Sequence, residues 1–165
     1  MLKILREDLE ICKVKAHDYS YKDDAFFNFR PFGILAFAVF LNTKIRRLEV
    51  LANTKETPLN ESVLDTIRDL RNYAGLAMVW LEEDRKVINQ DELYKKLEKI
   101  CEGINGEGLG GFIPLKLSVE KFVNWILAEL ACEVSGIQRN DNFDEVKKML
   151  SDIIEEAVKF EGAIQ

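Results

Sequence analysis

Apolar residues recur at helical spacing from one end of the chain to the other, and no stretch alternates convincingly with the period of a strand. That single pattern restricts the chain to packed helices. Leu2, Leu5, Leu9, Cys12 and Ala16 share one stripe, which predicts a first helix over residues 2–18. A polar and aromatic loop, 19–31, leads to a second helix over about 32–53, with Pro31 suited to its first turn. Asn60 is the expected N-cap of a third helix reaching about residue 85, and Asn89 that of a fourth over 90–102. Residues 103–111 hold five of the nine glycines and interrupt the helical pattern. Ser118 is the expected cap of a fifth helix, 119–135, ended by Gly136, and a sixth follows over 141–161. The expected fold is all-α: a bundle of about six helices. It divides into a core (1–102), a Gly-rich connection (103–117) and a C-terminal helical hairpin packed on the core (118–165).

Two of these helices depart from simple amphipathicity. Residues 32–41 and 73–81 are almost unbroken apolar runs. A surface helix carries one apolar stripe, so these halves belong in the bundle interior or in a subunit interface, which favours a homo-oligomer. A short connection makes the two helices antiparallel neighbours. The polar end of the second (Lys44, Arg46, Arg47) then lies beside the polar start of the third. There Glu61, Asp65 and Asp69 share one face with Asn72. The same face turns apolar at Leu76 and Trp80, as expected for carboxylates that rim a pocket or an interface.

Carboxylates at i, i+4 and i+8 suit Mg²⁺, and nearby Lys and Arg suit phosphates. The alternative is that Lys44 and Arg47 simply pair with Glu61 and Asp65 between helices. Either way, Lys44 and Arg47 are expected within a side chain's reach of that face.

Composition narrows the functional classes. Of 165 residues, 47% are hydrophobic and 32% charged, which suits a packed domain. The net charge is −6, and all of it lies after residue 87, because residues 1–87 are neutral overall. That balance disfavours a nucleic-acid polymer as partner. Three scattered cysteines form neither a disulfide framework nor a zinc motif, and the single histidine excludes a His-rich metal centre. Charges break the N-terminal segment too early for a signal peptide, and no run reaches the ~18 apolar residues of a membrane span. The expectation is a cytoplasmic protein with no membrane partner.

A set of short pieces appears in order: Lys15-Ala16-His17-Asp18-Tyr19, Asn28-Phe29, Gly33-Ile34 and Lys44-Ile45-Arg46-Arg47-Leu48. Glu61-Ser62-x-x-Asp65-Thr66-x-x-Asp69-Leu70-x-Asn72-Tyr73-Ala74 completes it. Together they resemble the phage and bacterial family called nucleotide modification-associated domain 1, over about residues 5–85. The resemblance implies a small helical domain, often phage-encoded and tied to nucleotide metabolism or base modification. Where the family usually has Gly after the Asp-Tyr pair, this chain has Ser20, and the part from residue 88 lies outside the resemblance.

A more distant similarity is to MazG-like all-α nucleoside triphosphate pyrophosphohydrolases, whose carboxylates hold Mg²⁺. Here Glu61, Asp65 and Asp69 stand for one carboxylate set. The other set is missing, since the second helix offers only Glu49, and Asp18, Asp23 and Asp24 of the preceding loop are the substitutes.

The first functional expectation is therefore a phage-like protein that binds or sequesters a phosphorylated nucleotide, for base modification, pool management or capture of an immune signal. Lys44 and Arg47, with Lys15, Lys22 or Arg30, hold phosphate. Tyr19 or Phe29 stacks on the base, while Glu61, Asp65, Asp69 and Asn72 orient the cations or bond sugar and base. His17 contacts phosphate or base, or caps its helix, and Asp18 and Asn28 enter through the matched motif. The competing role for Tyr19, Tyr21, Phe26, Phe27 and Phe29 is to cover the end of the bundle. Binding itself requires no cofactor. The alternatives are a Mg²⁺-dependent pyrophosphohydrolase, with Glu61, Asp65 and Asp69 as metal ligands, and a non-catalytic interaction adaptor. The Gly-rich segment lacks the GK[ST] ending of a phosphate-binding loop and follows a helix, so it reads as a flexible connection or lid.

Overall fold

A computed structural model describes residues 2–19, 21–54, 62–84, 86–108, 110–137 and 143–165. It holds six helices: α1 (Lys3–Tyr19), α2 (Ile34–Thr54), α3 (Val63–Glu83), α4 (Gln90–Glu102), α5 (Phe112–Ser135) and α6 (Phe143–Ile164). No strand occurs among the described residues, so the fold is the expected all-α bundle. No helix is long and apolar enough to cross a membrane.

Local chemistry explains where the helices start and stop. Asn89 caps α4 as expected, its side chain accepting the Glu92 N–H at 2.9 Å. Gly136 ends α5 in the left-handed conformation (φ +68°), and the Ile137 N–H reaches back to the Cys132 carbonyl at 3.0 Å. Three boundaries differ from expectation. The cap of α3 is Ser62, whose hydroxyl accepts the Asp65 N–H at 3.0 Å; Asn60 lies outside the described residues. Pro31 precedes α2 within a turn that closes at Gly33 (φ +58°), so the helix begins only at Ile34. The fifth helix starts at Phe112, and Ser118 lies inside it. Pro114 does not delay that start, because a first-turn residue has no intrahelical partner for an N–H.

Cross-helix pairs give the arrangement. On α2 and α3, Phe40 stacks on Tyr73 and Lys44 meets Asp69. On α2 and α5, Arg46 meets Glu120 and Glu49 meets Lys116. On α3 and α6, Glu82 meets Lys147 and Arg71 meets Glu161. In each case one number rises as the other falls, so these neighbours are antiparallel. With the α5–α6 hairpin they close a four-helix ring in the order α2, α3, α6, α5. The expected C-terminal hairpin thus supplies half of the main bundle. Helices α1 and α4 pack on each other and on the outer side of α3.

Helix α3 is therefore surrounded, which accounts for its apolar run: Ala74, Ala77 and Val79 are fully buried. The α2 run behaves differently. Phe37 and Leu41 are fully buried, whereas Phe32 and Val39 remain exposed.

Candidate functional site

The polar half of α3 carries three ionic groups, the second and third of which share Arg68. The first joins three of the residues expected to act together. The Lys44 ammonium lies 2.6 Å from Asp69 Oδ2, and the Lys15 ammonium lies 3.7 Å from Oδ1. Two helices, α1 and α2, thus aim cations at one carboxylate of a third. Lys44 and Asp69 are largely shielded from water, while Lys15 is more than half exposed. Arg47 is half-buried one turn further along α2. The Cys12 thiol borders the group, and burial pushes its pKa up against the opposing pull of Lys15.

Asp65 belongs to the second group. Its carboxylate accepts the Ser62 hydroxyl at 2.7 Å and meets Arg68 at 2.7 Å, an arrangement that closes the first turn of α3. The Ser62 bond is the main reason that its carboxyl sits below the usual range. Lys44 therefore reaches this acidic face at Asp69, one turn beyond Asp65. Arg46 turns the other way, to Glu49 at 2.8 Å and to Glu120 at 3.1 Å on α5.

The third group is buried. Arg71 donates through Nε to Asp8 Oδ2 at 2.5 Å, through Nη2 to Oδ1 at 3.0 Å, and through Nη1 to Glu161 at 2.6 Å. Arg68 adds a bond to Asp8 at 3.1 Å, and Gln165 bonds Glu161 at 3.0 Å. Arg71, Asp8 and Glu161 are 3%, 3% and 5% exposed, so this network ties α1, α3 and α6 together inside the protein. Asn72 lines a cavity of about 20 Å³ beside Asp8 and Arg71, and so belongs with this buried group.

None of the three central residues was among the expected site residues. Their sequence signal is a charge standing within an apolar stripe: Asp8 among Leu5, Leu9 and Cys12; Arg71 among Ile67, Leu70 and Ala74; Glu161 beyond Ile154, Ala157 and Val158.

The remaining described candidates lie at the opposite end of α3. Arg30 binds Asp24 through two bonds, at 2.5 and 2.7 Å. It also donates to the Lys86 carbonyl at 3.1 Å and covers the Trp80 ring at 5.9 Å from its centroid. Lys22 and Asn28 are exposed in the same loop. Trp80 lies about 16 Å from Asp69 along the helix at ~1.5 Å per residue. Arg30, Lys22 and Asn28 therefore form a locus separate from Lys15, Lys44 and Asp69. Phe29 stacks on Phe37 at 4.6 Å and Phe26 is fully buried, so these rings cover the end of the bundle. The side chains of His17, Asp18 and Tyr19, and all of Glu61, lie outside the described residues.

Asp24 is held below the usual carboxylate range chiefly by its Arg30 hydrogen bond. A carboxyl whose folded pKa is depressed adds stability above its unfolded pKa and loses it as pH falls through the folded one. Asp24→Asn should therefore lower stability near neutral pH and flatten the acid limb below the ordinary value of 3.8, as read by thermal melts across pH.

As possible metal ligands, Asp65 and Asp69 each already face cations, and Glu49 is held by Arg46 and Lys116 on the α5 side of α2. Among the described residues no three His, Cys, Asp or Glu side chains are grouped to hold a metal ion. A further groove of about 450 Å³ lies between α1 and α4. It carries three cations and three carboxylates around Tyr94, whose hydroxyl is shielded from water and whose pKa burial pushes up to about 12. Its charges balance, so it selects neither sign of ligand. No family model matches the chain, and comparison with the curated proteins and with the solved structures returns no match.

Proposed function

We propose that this protein binds a phosphorylated nucleoside, and that the Lys15–Lys44–Asp69 group receives its phosphate. The observation that carries the reading is the convergence of two ammonium groups from separate helices on one shielded carboxylate. Asp69 holds the cations in place and offsets one of their two charges, leaving the group net positive. An incoming phosphate, with more charge and more acceptor oxygens, competes for the same donors. One turn away Phe40 and Tyr73 are stacked at 4.6 Å with nearly parallel rings, and Phe40 is 39% exposed, a surface suited to a base. The resemblance to the nucleotide modification-associated family points the same way. In a phage this activity serves base modification, pool management or capture of a nucleotide signal.

Self-association belongs to the same reading. Val39 and Val50 on α2, and Leu117 and Leu127 on α5, are all more than half exposed. The antiparallel register brings Val39 level with Leu127 and Val50 level with Leu117, a strip of the kind that pairs subunits.

The test is binding of mono-, tri- and cyclic nucleotides by calorimetry, with and without Mg²⁺. Lys44→Ala should weaken binding about tenfold or more, the value of one charge-assisted bond. Asp69→Asn removes the competing anion and should tighten binding a few-fold. If Asp69→Asn instead abolishes a Mg²⁺-dependent release of pyrophosphate, the pyrophosphohydrolase alternative replaces this one. Absence of binding to every nucleotide defeats both and leaves the interaction adaptor.

A further inference from the structure

Two contacts between α2 and α3 are successive rungs of one ladder. Lys44 meets Asp69 at 2.6 Å, and Phe40 stacks on Tyr73 with ring centroids 4.6 Å apart and planes 6° from parallel. Phe40 stands four residues before Lys44, and Tyr73 four residues after Asp69, so the antiparallel register repeats without a slip. Residues at i and i+4 share a helix face. The ammonium contact and the ring stack therefore lie on one face of the α2–α3 pair, about 6 Å apart along it at ~1.5 Å per residue.

Both ends of this track are bounded. Beyond the rings, Phe29 meets Phe40 edge-on at 6.1 Å, and the next rung, Ala36 and Ala77, is buried. Beyond the ammonium groups, the next turn of α3 brings Asp65, whose side chain is 46% exposed. Its Ser62 bonds chiefly, then the charges of Arg68 and Lys15, hold its carboxyl below the usual range, so it is an anion at neutral pH and a neighbour of Lys15. The cations at this turn are already partnered. Arg68 bonds both Asp65 and Asp8, and Arg47 has a partner of its own.

The ammonium groups offer one berth. Lys44 and Lys15 sit on the two oxygens of a single carboxylate, so a phosphate that takes the place of Asp69 uses two of its oxygens on the same two cations. The step from there to the rings leaves room for one pentose. A second and third phosphate would run away from the base toward Asp65, where they meet a carboxylate and cations already committed.

We infer that the ligand is a nucleoside monophosphate, its phosphate on Lys15 and Lys44 and its base on Phe40, rather than a di- or triphosphate. The inference rests on the phosphate reading above and narrows it to a ligand with one phosphate.

Calorimetry in magnesium-free buffer tests it, with the 5′-mono-, di- and triphosphates of adenosine, guanosine, cytidine and uridine as probes. For the preferred base, the triphosphate should bind at least about tenfold more weakly than the monophosphate. Phe40→Ala should weaken the monophosphate about fivefold or more, the value of one base–aromatic stack. Asp65→Asn should tighten the triphosphate a few-fold and the monophosphate by less, narrowing the gap. If that variant melts early, the wild-type diphosphate decides, since affinity should already fall at the second phosphate. A triphosphate that binds as well as the monophosphate, a gap that Asp65→Asn leaves unaltered in a folded protein, or a diphosphate equal to the monophosphate overturns the inference while the phosphate reading stands. Monophosphate binding that Lys44→Ala leaves intact overturns both, as does no binding by any probe.

Discussion

Arg71→Met should cost about 3–5 kcal/mol, the range found when one partner of a buried ion pair is removed. For a chain of this size that corresponds to a fall of roughly 6–20 °C in melting temperature. The size comes from what remains behind. Met fills the volume of Arg71 but donates nothing. Asp8 and Glu161, 3% and 5% exposed, would keep two carboxylates out of water, with Arg68 left to serve Asp8 and the Gln165 amide to serve Glu161.

Arg71→Lys should fall between the two. The guanidinium reaches Asp8 with two nitrogens and Glu161 with the third, and a single ammonium cannot span both carboxylates. If the loss is caused by stranded charge, removing the charges should reverse it. The triple variant Asp8→Leu, Arg71→Met, Glu161→Met should recover most of the stability. Urea unfolding followed by circular dichroism measures all three. An Arg71→Met loss below about 1 kcal/mol, the level of an exposed pair, would show that the network contributes no more than a surface salt bridge.

This network also marks how far the sequence could be read. Helical period is a backbone property, so it located the helices well: α4 begins after its Asn89 cap and α5 ends at Gly136 where local chemistry requires it. The start of α5 was hidden because Gly110, Gly111 and Pro114 all suggest interruption, yet a proline in the first turn disturbs nothing. The Lys44–Asp69 pair follows from antiparallel register across a short connection, and needs only two helices to be placed. Arg46 was grouped with Lys44 because both are basic, but two residues of helix turn it by about 200° toward α5. The Asp8–Arg71–Glu161 network depends on three helices meeting, and no local spacing encodes that meeting. Only the interruption of an apolar stripe by a charge, repeated on α1, α3 and α6, signalled it.

Gly110→Ala should be the most damaging change in the Gly-rich connection. A Cβ at this position would lie 2.1 Å from the Lys159 carbonyl carbon and 2.3 Å from both the Lys159 oxygen and the Phe160 nitrogen. Those are backbone atoms in the last two turns of α6, so no rotamer change relieves the clash. Either α6 retreats by more than an ångström, opening the core around the buried Ala157 and Val158, or the connection lifts off the helix. The expected loss is about 3 kcal/mol, the upper part of the range for overpacking, and about 6–12 °C in melting temperature.

Gly106→Ala meets only the side chains of Leu2 and Val158, at 2.7 and 2.8 Å, which can rotate, so it should cost less. Gly108→Ala meets nothing within 4 Å but forces φ +112° on a residue with a Cβ, and should cost about 1 kcal/mol. The order Gly110 above Gly106 and Gly108 separates a close-packed crossing from the flexible lid expected of so many glycines. In a lid, Gly110→Ala would leave the urea midpoint unchanged and alter only ligand exchange. In a crossing pinned to α6, it lowers the midpoint whether or not any ligand is present.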